Sequence, residues 1–324
     1  MSLPDSVDGA AVYAVADCGG THTRLELWRG DELLATETLG SANTATTTPD
    51  EARRIYGELI GHIADRVTDP IETYVATAGF DDPTADLLAE MFAGAVRERH
   101  YLGRVHIFND ILPLLFAEEP GTESVAAIIG TGSAYWSRDS QDVVARVGGV
   151  EWVASDDGAA VDVGRRGLVA MVRAADGRGE RTSITARAGL DDAGALRLAR
   201  EAGQDSRPKQ LLAPLARAVT QAWTEDDDAV AGRIMIAVVD QVEESFAAAA
   251  RNLGSPASAT WVICGGLVSG CLPYQRLVLD ACARASGGAA DVRVVENALD
   301  SLRSFAARGC AVRVGARYRR TVMS

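Results

Sequence analysis

The stretch that decides the fold lies near the start of the chain and reads AVYAVADCGGTHTRLELW from Ala11 to Trp28. An apolar run leads into Asp17 and a Gly-Gly-Thr turn, and an alternating run leaves it, which predicts two strands joined by a hairpin. Glycines let the backbone approach an anion because they carry no Cβ, and successive N–H groups can then bind phosphate oxygens. The carboxylate of Asp17 would repel phosphate unless a divalent cation lay between them. The pattern therefore favours magnesium-bound nucleotide, with an ordinary glycine turn as the alternative.

Composition narrows the class of protein. The length of 324 residues is typical of two domains, and 47% apolar residues suffice for a sizeable core. A net charge of −13 argues against a nucleic-acid partner, because phosphate backbones attract basic surfaces. The apolar runs are too short for a membrane span, and the first residues show no secretion signal. We expect a cytoplasmic protein with no membrane partner.

Cysteine and lysine usage exclude several kinds of site. The five cysteines are scattered and form no CxxC pair, which argues against a zinc site, an iron–sulfur cluster and a disulfide framework. Reduced thiols fit a cytoplasmic enzyme. Lys209 is the only lysine in the chain, so the Gly-Lys-Ser/Thr phosphate loop is excluded.

Strand-like and helix-like segments alternate along the chain, which predicts an α/β fold. After Pro120 the opening pattern restarts, with an apolar run at 124–129 that ends in Gly-Thr-Gly-Ser at 130–133. A strand–glycine turn–strand unit thus occurs twice, which indicates two similar domains facing a shared cleft. We expect one domain to comprise residues 1–111 plus 299–324, with a returning helix over 301–319, and the other to comprise residues 112–298.

Four short motifs each follow a strand-like run: DCGGTHTR at 17–24, ND at 109–110, GTGS at 130–133 and CGGLVSG at 264–270. Their order and spacing resemble the phosphate-1, connecting, phosphate-2 and adenosine elements of the actin/hexokinase/Hsp70 superfamily. The resemblance implies two actin-like (ribonuclease H-like) domains around a nucleotide and sugar cleft. It also implies ATP and Mg²⁺ as cofactors, and closure of the domains when sugar binds.

One further stretch resembles a particular family. Residues 148–158 read GGVEWVASDDG, which is similar to the GGWGxxxGDEGS stretch of N-acetylglucosamine kinase and the BadF/BadG/BcrA/BcrD ATPases. GSAN at 40–43 likewise resembles the family's Ser-Thr-Asn loop that meets the sugar. Val150 replaces the usual Trp and Glu151 the usual Gly, and both positions lie around the sugar pocket in the family. The acceptor sugar is therefore less well defined than the phosphoryl chemistry.

Two carboxylates are candidates for the chemistry. Asp110 is the candidate general base, because a carboxylate can orient a sugar hydroxyl and accept its proton as it attacks a γ-phosphoryl group. The alternative is that Asp110 only caps a helix over 111–118. Asp17 is the candidate Mg²⁺ ligand, acting through water, because Mg²⁺ uses few carboxylates and dehydrates reluctantly.

The remaining candidates divide into two sets. Hydroxyls and glycines of the turns would bind the nucleotide: Gly19, Gly20, Thr21, Thr23, Thr131, Gly132, Ser133, Gly265 and Gly266. Amides and carboxylates suit a hydroxyl-rich ligand, and the candidates for binding sugar are Asn43, Asn109, Asp110 and Asp156.

The function these features predict is an ATP-dependent amino-sugar kinase that phosphorylates N-acetylglucosamine at its 6-hydroxyl. In an extended segment Trp152 could replace the missing Trp beside the N-acetyl group, whereas Glu151 could instead pair with the 2-ammonium of glucosamine. Glucosamine or another hexose therefore remains an alternative substrate. Further alternatives are an ATPase activator of a radical dehydratase or reductase, and a non-catalytic sugar sensor. A homodimer is left open.

Overall fold

The structure, a computed structural model, describes residues 11–43, 47–81, 83–288, 291–309, 314 and 318–324. The chain divides into two compact units. One unit is formed by the described parts of Met1–Ala117 and Asn297–Ser324, and the other by those of Glu118–Glu296. The boundaries between the units thus lie after residues 117 and 296. The boundaries expected from the sequence lie nearby, after residues 111 and 298.

The strands have the following bounds: Val12–Cys18 (β1), Thr23–Arg29 (β2), Glu32–Leu39 (β3), Ile71–Thr77 (β4), Gly103–Asn109 (β5), Ser124–Ile129 (β6), Ser133–Arg138 (β7), Val144–Val147 (β8), Thr260–Cys264 (β9), Asp291–Val295 (β10) and Arg319–Met323 (β11).

The α-helices are Pro49–Ala64 (α1), Ala85–Glu98 (α2), Leu112–Leu115 (α3), Ala160–Ala175 (α4), Ile184–Arg187 (α5), Asp192–Gln204 (α6), Pro208–Leu212 (α7), Leu215–Glu225 (α8), Ala229–Ala250 (α9), Gly266–Gly270 (α10), Leu272–Ser286 (α11) and Ala298–Ala307 (α12). Among these described helices, none is long and apolar enough to cross a membrane.

The sheet of the first unit has the strand order β11-β5-β4-β1-β2-β3. Strands β1, β4 and β5 are parallel, whereas β1–β2–β3 form an antiparallel meander. In the register, Cys18 pairs with Thr77, and Thr77 pairs with Asn109. The carboxyl ends of the three parallel strands therefore meet at one edge of the sheet, where the turn between β1 and β2 also lies.

Helices cover both faces of this sheet. Helices α1 and α2 pack on the face that carries Ala14, Ala16 and Cys18. The opposite face contacts α12, where the ring of Phe305 meets that of Phe108 edge-on at 5.1 Å. Successive side chains of a strand point to opposite faces, so Asp17 lies on the α12 side and Cys18 on the α1 side.

The sheet of the second unit repeats this arrangement in the order β10-β9-β6-β7-β8. Strands β6, β9 and β10 are parallel, and β6–β7–β8 form an antiparallel meander. The strand–turn–strand unit inferred from the sequence therefore does occur twice, each time beside parallel strands. The α/β class is confirmed, with two mixed sheets.

The helical layer of the second unit depends on close backbone approach. A Cβ on Gly164 of α4 would lie 1.9 Å from the carbonyl oxygen of Leu212, so α4 and α7 pack at a distance that only glycine permits. Gly158 has φ +80°, and a Cβ there would lie 2.3 Å from Val242 of α9. These contacts fix the helices that surround the second hairpin.

Two local expectations were wrong, and one strand was missed. The helix expected over 301–319 ends at Ala307, and Arg308 and Gly309 form a turn. The helix expected over 111–118 is the four-residue α3. Strand β11, which pairs antiparallel with β5 at the edge of the sheet, was not predicted.

Candidate active site

The first glycine turn joins β1 to β2 at the carboxyl edge of the first sheet. The N–H of Gly19 donates to the carbonyl of His22 at 3.0 Å, which closes the turn. Thr21 is exposed at its tip. The hydroxyl of Ser41 donates to the carbonyl of Gly19 at 3.3 Å, so the turn is tied to the loop after β3. Gly19, Gly20 and Thr21 are thus placed where a phosphate could reach them.

Thr23 lies in the interior. Its side chain is fully buried at the start of β2, opposite Cys18, and its hydroxyl lowers the pKa of the Cys18 thiol. Burial outweighs this contribution and raises the thiol pKa overall. The placement fits a structural role better than the predicted contact with phosphate, and it leaves Thr21 as the hydroxyl of this turn at the surface.

Asp17 and Asp110 converge on the same strand edge. Asp17 precedes the last residue of β1 and Asp110 follows the last residue of β5, and the parallel register of β1, β4 and β5 places both at the carboxyl edge of the first sheet. Burial raises the pKa of Asp17 to about 6, and the cross-strand partner Arg24 lowers it only in part. A partly buried carboxylate with a raised pKa, at the same sheet edge as a second carboxylate and a glycine turn, is the arrangement expected of a functional site.

This raised pKa gives a stability prediction for the metal-free protein. Between the ordinary Asp pKa near 3.8 and the folded value of about 6, the folded state holds the proton more tightly. Asp17 thus costs stability as pH rises through that window. At pH 8 in a chelating buffer, the free energy of unfolding of Asp17→Asn should therefore exceed that of the wild type by about 1–3 kcal/mol, and the variant should unfold at a higher temperature. This difference should shrink toward pH 4. Equal or lower stability of the variant at pH 8 would show that burial of this carboxylate is not costly.

Asn109 holds the end of β5 in place. Its Nδ2 donates to the carbonyl of Phe80 at 2.8 Å, and its Oδ1 accepts from the N–H of Ile111 at 3.1 Å. The amide, predicted to bind sugar, thus joins the loop after β4 to the segment that carries Asp110. Helix α3 has Ile111 as its cap residue, so Asp110 lies before the cap.

The Ser41–Asn43 loop is anchored by a residue of α1 that the sequence analysis did not identify. Tyr56 of α1 is fully buried, and its hydroxyl donates to the carbonyl of Ala42 at 3.0 Å. The N–H of Asn43 donates to the hydroxyl of Ser41 at 3.3 Å. Asn43, the sugar candidate of this loop, is itself largely buried. Residues 44–46 lie outside the described residues.

If the Ser41–Asn43 loop binds sugar as the family resemblance implies, Tyr56→Phe should raise the KM for that sugar several-fold, because the loop loses its anchor while the first glycine turn stays intact. The lost hydrogen bond should also cost about 1 kcal/mol of stability. Tyr101→Phe is the matched control, since its hydroxyl contacts the carbonyl of Ile71 at the opposite end of the strands. Steady-state kinetics and thermal unfolding of both variants separate the two effects. A similar KM in both variants would count against the anchoring role.

The second glycine turn joins β6 to β7. The N–H of Gly130 donates to the carbonyl of Gly132 at 3.0 Å. The carbonyls of Gly130 and Thr131 accept from Ala160 and Val161 at the start of α4, at 2.9 and 3.1 Å. The turn is therefore held by a helix.

Ser133 has structural partners within this unit. Its hydroxyl donates to the carbonyl of Asp157 at 2.7 Å, and its N–H donates to Oδ1 of Asp156 at 3.2 Å. A Cβ on Gly132 would lie 3.1 Å from Oδ2 of Asp156. The Asp156 carboxylate thus lies directly against the second turn.

Gly265 and Gly266 lie beside this turn. Strands β6 and β9 are parallel with Ile128 opposite Cys264, so their carboxyl ends are adjacent. Gly265 has φ +132°, and a Cβ there would lie 2.3 Å from the carbonyl oxygen of Ile129. The phosphate-2 and adenosine motifs therefore form one continuous glycine-lined surface in the second unit.

The loop over 148–158 differs from the expectation. Residues 151–155 form a turn, in which the N–H of Ser155 donates to the carbonyl of Glu151 at 2.9 Å. The assumption of an extended segment was wrong, and Trp152 packs partly buried against the core of its own unit. Lys209, which the prediction of site residues missed, pairs with both Glu151 and Asp156. The sequence did contain one indication of this residue, since Lys209 is the only lysine in the chain.

The donor set fits magnesium-bound nucleotide. The described residues contain no group of three or more His, Cys, Asp or Glu side chains that could hold a metal by themselves. Mg²⁺ bound to nucleotide, however, takes most of its ligands from water and phosphate and needs only one or two carboxylates. Asp17, at the same sheet edge as Asp110, meets that requirement.

Each unit has a mixed α/β sheet with a glycine hairpin beside the ends of its parallel strands, which is the architecture of the actin-like ATPase fold. The sequence profile of the BadF/BadG/BcrA/BcrD ATPase family matches residues 16–298. The chain belongs to this family.

Comparison with individual proteins gives consistent results. The chain is 27% identical over 173 residues to the N-acetylmuramic acid/N-acetylglucosamine kinase of Clostridium acetobutylicum, a match that covers 52% of this chain. The match spans 56% of that relative's length.

Solved structures show the same fold. A candidate N-acetylglucosamine kinase from Porphyromonas gingivalis has a TM-score of 0.66 at 17% identity, covering 90% of this chain and 98% of that chain. A second, from Chromobacterium violaceum, has a TM-score of 0.66 at 16% identity, with 91% and 98% covered. An ROK-family glucokinase from Streptomyces griseus has a TM-score of 0.52 at 15% identity, with 92% and 98% covered.

Proposed function

We propose that this protein is an ATP-dependent amino-sugar kinase that forms the 6-phosphate of N-acetylglucosamine. The observation that carries the proposal is the placement of Asp17, Asp110 and the first glycine turn at one edge of the first sheet. Family membership supports ATP as the phosphoryl donor. The name of the Clostridium acetobutylicum relative supports an N-acetylated amino sugar as the acceptor.

Asp110 acts as the general base in this proposal. Its carboxylate accepts the proton of the 6-hydroxyl as that oxygen bonds to the γ-phosphorus, and the bond between the γ-phosphorus and the bridging oxygen breaks to release ADP. Asn109 keeps the segment that carries Asp110 in place through its contacts with Phe80 and Ile111. Bound Mg²⁺ supplies neutralisation of phosphate charge, and Asp17 is the residue that would hold it.

The glycine turns bind the nucleotide. Thr21, Gly19 and Gly20 serve the first unit, while Thr131, Gly132, Gly265 and Gly266 serve the second. The backbone N–H groups of such turns are suited to phosphate, and the absence of a Cβ at Gly265 and Gly266 suits close approach by adenosine.

Two residues are the proposed ligands of the sugar hydroxyls. Asn43 lies in the loop after β3 of the first unit, and Asp156 lies in the 148–158 loop of the second unit. The ion pair of Glu151 with Lys209 also bears on the acceptor. A carboxylate already paired with a lysine is a poor partner for the 2-ammonium of glucosamine, which favours the N-acetylated sugar.

The activator of a radical dehydratase or reductase is the second candidate function, because the same family includes ATPases. Such activators bridge an iron–sulfur cluster with a cysteine pair from each subunit. Among the described cysteines, Cys18, Cys264 and Cys282 are buried and Cys271 is half-buried. Cys18 belongs to the first unit and the others to the second. This distribution favours the kinase.

ADP release across a panel of sugars tests the proposal. Purified protein with Mg-ATP should turn over fastest with N-acetylglucosamine, more slowly with glucosamine and glucose, and least without sugar. Turnover that no sugar stimulates would overturn the proposed activity. Sugar binding without turnover would indicate a sensor, and a brown protein with visible absorption would indicate the activator.

A further inference from the structure

A groove lies between α4, α9 and the turn over 176–180 that follows α4, all within the second unit. Its volume is about 770 Å³. Five arginines line it: Arg165, Arg166, Arg173, Arg178 and Arg233. The chain as a whole carries a net charge of −13, so these cations are concentrated against the overall charge. The described lining includes no residue of the glycine turns or of the 148–158 loop.

The two helices bring aliphatic and cationic side chains to the same groove. Residues three or four apart share one face of a helix. On α4 this spacing joins Arg166, Val169 and Arg173, and on α9 it joins Val230 and Arg233. The side chain of Val169 is exposed. The groove therefore offers both apolar surface and positive charge to a molecule that enters it.

The turn after α4 is built closely against that helix. Gly177 has φ +80°, and the N–H of Gly179 donates to the carbonyl of Arg173 at 2.8 Å. A Cβ on Gly179 would lie 2.9 Å from the Cβ of Arg173, so glycine permits this approach. Nη2 of Arg173 donates to the carbonyl of Arg178 at 3.4 Å. The turn thus closes one side of the groove and adds Arg178 to its lining.

The arginines exceed their carboxylate partners in number. Four of them form ion pairs with three carboxylates: Arg165 and Arg166 with Asp162, Arg178 with Asp176, and Arg233 with Glu180. The side chains of Arg178 and Arg233 are more than half exposed. Ion pairs between exposed side chains contribute little to stability, so these guanidinium groups can exchange a carboxylate for a bound anion at small cost.

We propose that this groove binds a small polyanion that carries at least two phosphate groups. The planar guanidinium group presents its N–H donors in a fork that matches two oxygens of one phosphate. The five arginines come from α4, from α9 and from the turn, so their donors surround the groove and suit more than one phosphate group.

The dimensions of the groove favour a small molecule over a protein segment. At 1.5 Å per residue, the face of α4 from Arg165 to Arg173 is about 12 Å long, which is too short for a partner helix of several turns. The volume of about 770 Å³ falls within the range typical of small-molecule sites. This site lies within one unit, and its occupant is independent of the sugar that the proposed kinase phosphorylates.

Isothermal titration of the purified protein with inorganic tripolyphosphate, in a buffer with EDTA, tests the proposal. The double variant Arg173→Gln with Arg233→Gln should bind tripolyphosphate at least about tenfold more weakly, because hydrogen bonds to a charged group are lost. Both side chains are exposed, so the variant should unfold at the temperature of the wild type. Orthophosphate should bind the wild type at least about tenfold more weakly than tripolyphosphate, because it engages fewer guanidinium groups.

The matched control is Arg197→Gln with Arg200→Gln. It removes the same charge from exposed positions of α6 in the same unit and should leave the affinity for tripolyphosphate largely unchanged. Equal affinities in the wild type and in the groove variant would overturn the proposal and assign the anion to another site, such as the glycine turns. Equal affinities of the wild type for orthophosphate and tripolyphosphate would overturn the requirement for two phosphate groups.

Chemical modification locates the bound anion without any variant. Phenylglyoxal modifies accessible arginines, and mass mapping of the peptides gives a rate for each position. Saturating tripolyphosphate should slow the modification of Arg173 and Arg233 several-fold relative to that of Arg197. Unchanged relative rates would overturn the inference and leave the groove to an acidic segment of a partner protein. Loss of the proposed kinase activity would leave this result untouched, because the measurement reports binding alone.

Discussion

Asp110→Asn should lower kcat by about a hundredfold or more while leaving the affinities for ATP and sugar largely unchanged. Asparagine keeps the shape of the side chain but cannot accept the proton of the attacking hydroxyl, and loss of a general base usually costs about 10²–10⁴ in rate. Asn109 still holds the segment through Phe80 and Ile111, so the backbone should not move.

The matched control for this experiment is Glu90→Gln. Glu90 is an exposed carboxylate of α2, so the same loss of charge in the same unit should leave kcat unchanged. Steady-state rates and equilibrium binding of ATP are measured for both variants. An Asp110→Asn enzyme with a nearly normal kcat would show that another group accepts the proton.

Gly265→Ala should abolish tight nucleotide binding and lower stability by about 2 kcal/mol or more. The position requires φ +132°, which is unfavourable for alanine, and the new Cβ would lie 2.3 Å from the carbonyl oxygen of Ile129. Relief of that clash would push apart the ends of β6 and β9, which carry the second turn and the adenosine motif.

Gly266→Ala separates the effect on binding from the effect on folding. A Cβ at Gly266 would meet nothing within 4 Å, so the change should leave stability within about 0.5 kcal/mol. If the adenosine passes close to this backbone, the KM for ATP should still rise in Gly266→Ala. Thermal unfolding and ATP titrations of the two variants are compared with wild type. A Gly265→Ala protein as stable as wild type would contradict the geometry of this turn.

Local features of this chain could be predicted from its sequence because they depend on near neighbours. The hairpins around Gly19 and Gly130 follow from alternating apolar residues and glycine, and the structure has both. Their repetition indicated two similar units. The class of protein followed from the order of the glycine motifs, and the family profile confirms it.

The orientation of individual side chains was harder to predict. Thr23 shares a strand face with Leu25 and Leu27, and all three are buried. The alternation of β2 therefore contained the signal that this hydroxyl points inward, but the resemblance to a phosphate motif outweighed it. Trp152 was misplaced because the prediction assumed an extended segment where hydrogen bonds close a turn.

Contacts between residues far apart in sequence could not be predicted from the sequence. The Lys209 pairs depend on how α7 packs on α4 at Gly164, which no local pattern reveals. The pairing of β11 with β5 likewise joins residues far apart in sequence. That edge strand reads RRTVM and lacks the apolar run that marks the central strands.

The most direct test of the central claim is the identity of the product. ³¹P NMR of purified protein with Mg-ATP and N-acetylglucosamine should show a sugar phosphomonoester at the 6-position, formed in step with ADP and at least about a hundredfold more slowly with Asp110→Asn. ADP formed together with inorganic phosphate, and no phosphorylated sugar, would contradict the account.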